Sequence, residues 1–90
     1  MRPAKEFLVH VELPGHFEVF VIPVPEGTSF QFYPYGKTEN FPQYLARRFG
    51  HLGEPAESSH NPDVNCYEAV FRGLHFKDAE EALRAITAAR

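Results

Sequence analysis

His51, His60, Asp63 and Cys66 fall within one short stretch of the chain. Imidazole, carboxylate and thiolate are the ligand types that zinc prefers, so this stretch is the first candidate for chemistry. The spacing contains no paired Cys-x-x-Cys, however, and Cys66 opens an apolar segment where a small thiol is commonly a core residue. The preferred reading is a solvated loop beside a core cysteine, with no metal and no cofactor. Cys66 with His60 or His75 also supplies the types a thiol nucleophile and its base require. Such a thiol needs a nearby cation or a helix N-terminus to ionise, and the flanking residues offer neither.

Glu12 and Glu18 bracket a turn and would oppose one another, as paired acid–base carboxylates do. Hydrated hairpin carboxylates are the simpler explanation. Phe30, Phe32, Tyr33 and Tyr35 form an aromatic run that could stack bases. Basic residues would have to track the same strand, and only Lys37 is near it. Arg47 and Arg48, with Arg72, Lys77 or Arg84, could make a basic face. No glycine-rich phosphate loop, nucleophile elbow or metalloprotease helix motif is present.

These residues must be positioned by local structure that the pattern predicts. From Lys5 to Leu13 the chain alternates, with Phe7, Val9, Val11 and Leu13 on one face and Leu8, His10 and Glu12 on the other. Phe17 to Pro23 alternates likewise, Phe17, Val19 and Val21 opposing Glu18, Phe20 and Ile22. The two apolar sets share a face only if the loop between them has an odd residue count. A three-residue loop, Pro14-Gly15-His16, therefore pairs Leu13 with Phe17, Val11 with Val19 and Val9 with Val21. Pro23 and Pro25 predict that the second strand ends or becomes an edge there. Residues 28–35 read as a third, shorter strand.

Asn40 and Gln43 make a capping box for a short helix carrying Phe41, Tyr44, Leu45 and Phe49, with Gly50 as its stop. Residues 51–63, rich in Gly, Pro, Ser and Asn, read as an exposed loop. Val64 to Phe71 reads as a fourth strand. Its apolar residues lie on both faces, Tyr67, Ala69 and Phe71 against Cys66 and Val70, as in the interior of a sheet. Asp78 and Glu81 cap a second helix whose apolar stripe is Ala79, Ala82, Leu83, Ile86 and Ala89. The expected fold is one α+β domain over residues 1–90, an antiparallel sheet of three to four strands packed by two helices, in the order βββαβα.

Composition narrows function only by class. Ninety residues hold one core, built largely from nine Phe and four Tyr. A net charge of −3 disfavours nucleic acid, whose binders usually carry a basic excess. A lone cysteine, no signal-like apolar stretch and no span of about 20 apolar residues predict a cytoplasmic protein away from membranes. The leading expectation is a protein-binding module and not an enzyme, a small regulator or inhibitor that occupies a partner's surface. Small phage and mobile-element proteins often share this plan, a likeness of size and architecture alone. Phe20, Ile22, Tyr33 and Tyr35, with Arg47 and Arg48, are the expected contact residues. Strand addition or homodimerisation through the third strand is the expected mode. Nucleic-acid binding through the aromatic strand and the helix arginines is the alternative, and a metal-dependent or thiol enzyme centred on Cys66 the second.

Overall fold

The computed structural model describes residues 9–87. The period-two segments form the hairpin their pattern requires. Strand β1 (Val9–Leu13) pairs antiparallel with β2 (Phe17–Val24), setting Leu13 opposite Phe17, Val11 opposite Val19 and Val9 opposite Val21. The three-residue loop turns through two left-handed residues, Gly15 at φ 92° and His16 at φ 67°. At Gly15 a side chain would also strike the Tyr44 ring, since a Cβ there would lie 2.7 Å from Cε1. Phe7, Leu8 and the start of the expected first strand lie outside the described residues.

Strand β3 (Gly27–Pro34) follows a two-residue connection, Pro25-Glu26, and β2 continues through Pro23. Pro23 is tolerated because it pairs with Thr28 and lies beyond Val21, the last β2 residue opposite the described part of β1. The third strand is as long as the second, eight residues each, and not the shorter strand expected. After helix α1 (Phe41–Phe49) and a 3-10 turn (Gly50–Leu52), β4 (Glu57–Asn61) forms a hairpin with β5 (Cys66–Arg72). Helix α2 (Ala79–Thr87) ends the described chain.

The sheet is wholly antiparallel with strand order β1-β2-β3-β5-β4. It has five strands where three to four were expected, because residues 57–61 are a strand and not loop. All five of these residues are exposed, so no buried position imprints a period on the sequence. Pairing with β5 is what extends them. The order makes β3 the central strand and β1 and β4 the edges among the described residues. Strand addition through β3 is thereby excluded, since both its ladders are already filled by β2 and β5.

Both helices cover one face. Phe41, Tyr44 and Phe49 of α1 meet Phe17, Phe30 and Phe32 of the sheet, with ring centroids 4.6–5.8 Å apart for Phe17–Tyr44, Phe32–Phe49 and Phe17–Phe41. Asn40 caps α1 by accepting the Gln43 N–H at 3.3 Å. Gly50 does not stop the chain in a left-handed turn. It is right-handed, at φ −61°, and passes into the 3-10 turn, while Gly53 at φ 96° makes the break. In α2, Asp78 accepts the Glu81 N–H at 2.9 Å, and the Glu81 carboxylate reaches back to the Lys77 N–H at 2.7 Å. Ala82 and Ile86 are buried, but Leu83, expected on the same stripe, is 39% exposed. Ala89 lies outside the described residues. Phe76, between β5 and α2, joins the core without having shown any period in the sequence.

Candidate functional site

The second sheet face carries no helix among the described residues. Pleat parity and the ladder registers set its rows. One row runs His10, Phe20, Gln31, Glu68 and Ser59; the next runs Glu12, Glu18 and Tyr33; a third holds Ile22, Ser29, Val70 and Glu57. Phe20, Ile22 and Tyr33 are half-buried by one another and by their neighbours in the sheet. His10 stacks on Phe20 with centroids 4.4 Å apart, and Phe20 meets Tyr33 edge-on at 5.5 Å. Polar groups tie the rows together. Glu18 lies 3.2 Å from His10 Nε2, and the Ser29 hydroxyl donates to Glu68 at 2.7 Å.

A hollow of about 270 Å³ opens on this face, bordered by Gln31, Tyr33, Ser59, Asn61, Cys66 and Glu68. The Tyr33 hydroxyl donates to Gln31 Oε1 at 3.4 Å. Its pKa is raised, first by the neighbouring Cys66 side chain, then by desolvation and by the Glu68 carboxylate. Tyr35 is 38% exposed and meets His16 edge-on. Its phenol is likewise raised, by desolvation first and then by the carboxylates of Glu12 and Glu18.

No protein-family model, curated protein or solved structure matches this chain.

Phe20, Ile22 and Tyr33 come together on that surface, with Tyr35 at its end. Arg47 and Arg48 do not join them, because they belong to α1 on the opposite layer. Arg48 is buried, and Arg47 pairs with Glu39 at 2.5 Å beside the Tyr44 ring. Arg72 faces Glu57 and Arg84 faces Glu80, each at 3.6 Å, so these arginines meet carboxylates and do not form one basic face. The four-aromatic run is divided by the pleat. Phe30 and Phe32 are fully buried in the core, while Tyr33 lies on the open face.

The histidine, aspartate and cysteine candidates are separated too. Among the described residues, no group of three or more His, Cys, Asp or Glu side chains is placed to hold a metal ion. His51 Nε2 contacts the Ala85 carbonyl of α2 at 2.9 Å. The His60 ring stacks on Tyr67 at 4.2 Å, Tyr67 stacks in turn on Phe41 at 4.3 Å, and His60 Nε2 meets Asn65 Oδ1 at 3.1 Å. Asp63 closes the β4–β5 turn, its N–H donating to Asn61 Oδ1 at 3.0 Å. Cys66 is buried and its thiol points toward the Tyr67 carbonyl at 3.7 Å. His75 is exposed. Glu12 and Glu18 do stand directly opposite, as expected, Glu12 exposed and Glu18 half-buried.

Sequence reasoning missed three members of this surface: Gln31, Ser29 and Glu68. Their alternation with Phe30, Phe32, Ala69 and Phe71 carried the signal, but the face they occupy became apparent only once β3 and β5 were neighbours.

Proposed function

We propose that this domain is a protein-binding module that works by covering a partner's surface with the open face of its sheet. The observation that carries the reading is the placement of Phe20, Ile22 and Tyr33 together on the sheet face that carries no helix among the described residues. Sheets in antiparallel domains often leave one face to water, but that face is then mainly polar. Here its centre is aromatic and aliphatic, which is the composition of an interface core, ringed by the polar residues of a rim. The edges β1 and β4 replace β3 as the places where a partner strand would add.

A binding role without catalysis fits a surface whose titratable groups are held in separate contacts. Action as a regulator or inhibitor, and a cytoplasmic setting, complete the proposal. The single buried thiol supports the latter, and among the described residues no helix is long and apolar enough to cross a membrane. The test is affinity capture from the native host with the wild-type protein, Phe20→Ala and Tyr33→Ala as baits. The proposal expects a specific protein on the wild-type bait that is lost from both variants while they remain folded. Capture undiminished by both substitutions would overturn it.

A further inference from the structure

The open face is charged in a way that its apolar centre does not require. The five strands contain four glutamates, Glu12, Glu18, Glu57 and Glu68, and one arginine, Arg72, with no lysine. Parity places all four carboxylates on the open face. Arg72 is taken by Glu57, and the His10 ring by Glu18. Among the described residues, no cation lies within ion-pair distance of Glu12 or Glu68. The direct opposition of Glu12 and Glu18 is unfavourable in the free protein.

The hollow beside Tyr33 has the same bias. Glu68 is the acidic group at its border, where His60 also lies, and Ser59, with the second lone pairs of the Gln31 and Asn61 oxygens that already accept from Tyr33 and Asp63, adds acceptor capacity. An aromatic ring next to a carboxylate and several acceptors suits a flat cation rich in N–H donors. Guanidinium is such a group: it stacks on aromatic faces and binds carboxylate with two parallel hydrogen bonds. A second copy of this chain does not fit, because stacking two such faces would set four glutamates against four. Nucleic acid is repelled for the same reason.

We propose that the occupant of the open face is an arginine-bearing protein segment, its guanidinium stacked on Tyr33 and paired with Glu68, its apolar neighbours seated on Phe20 and Ile22. This assignment rests on the open face being the binding surface and adds the chemistry of what it binds. Glu12 and Glu18 extend the attraction along the segment and steer its approach.

The test is an NMR titration of the labelled protein with short extended peptides alternating Arg with Val, Lys with Val, and Glu with Val. The arginine peptide should bind, moving the signals of Phe20, Tyr33 and Glu68, and should weaken as salt is raised. The lysine peptide should bind several-fold more weakly, lacking the planar fork. Glu68→Gln should weaken the arginine peptide about tenfold, the loss expected for one charge-assisted pair. Gln keeps an oxygen for the Ser29 hydroxyl, and Glu12→Gln, which likewise keeps an oxygen to accept from the Tyr35 hydroxyl, serves as a second variant.

Equal binding of the arginine and glutamate peptides would overturn the proposal, as would full binding to both variants or shifts confined to α1 and α2. Should the arginine peptide fail while an identified natural partner is still lost on Phe20→Ala, the arginine assignment falls and the open face stands. Should Phe20→Ala and Tyr33→Ala leave that natural complex intact, the open-face reading itself falls.

Discussion

Tyr44 and Gly27 show how single residues fix this fold. Tyr44 is fully buried, and no described residue hydrogen-bonds its hydroxyl. Burial pushes its pKa from the ordinary 10.0 to about 12, with Arg48 and Arg47 opposing and Glu39 adding to the rise. The unfolded chain therefore ionises this phenol first as pH rises. Below about pH 10 the phenol is neutral in both states and leaves stability unchanged; between pH 10 and about 12 the folded protein loses stability, at up to roughly 1.4 kcal/mol per pH unit. Tyr44→Phe should flatten the alkaline limb of a stability–pH curve and cost little at pH 7, because the lost hydroxyl has no partner among the described residues. Chemical denaturation at pH 7, 10 and 11 checks this; an unchanged alkaline slope in the variant would refute the assignment. Gly27 matters for closeness. A Cβ there would lie 2.0 Å from the Phe71 carbonyl oxygen, which belongs to the neighbouring backbone and cannot swing aside. Gly27→Ala should lose about 1–3 kcal/mol by forcing β3 and β5 apart, read as a lowered denaturant midpoint.

At the scale of elements, the first hairpin was legible in full and β4 was not. Val9, Val11 and Leu13 against Phe17, Val19 and Val21 carry an apolar period that only one register satisfies. Glu57-Ser-Ser-His-Asn61 carries none, since every side chain is exposed and its extension depends on β5 from outside the segment. Leu83 misleads in the opposite sense, an apolar residue at near-helical spacing that the sheet does not reach. The core face of the site was legible for the same reason as the hairpin. The grouping of Phe20 with Gln31 and Glu68 was not, because β5 inserts between β3 and β4 and that order is not a local property. β4 is held by one hairpin ladder and by the His60 ring on Tyr67. Its amides should therefore exchange faster than those of β3, and His60→Ala should speed them further with little change in global stability. Exchange measured residue by residue checks this, and equal protection of β3 and β4 would contradict it.

For the whole molecule, the division of labour between the two sheet faces is the point with functional weight. One face takes both helices and most of the aromatic residues and supplies the stability. The other keeps Phe20, Ile22 and Tyr33 in reach of solvent and gathers carboxylates that repel one another. A surface kept for binding commonly sacrifices some stability. Glu12→Gln should accordingly raise stability, by about 0.2–1 kcal/mol on relief of the cross-strand repulsion with Glu18, while weakening a basic partner. Thermal melts and a binding titration on one preparation read both effects, and a variant that gained neither stability nor lost affinity would break the link.

The division of faces is tested most directly by hydroxyl-radical footprinting of the protein alone and with its captured partner. The account predicts that Phe20 and Tyr33 lose reactivity in the complex while Leu83, exposed on the helical layer, keeps its own. Protection of Leu83 with Phe20 and Tyr33 unchanged would place the partner on the helices and contradict the account.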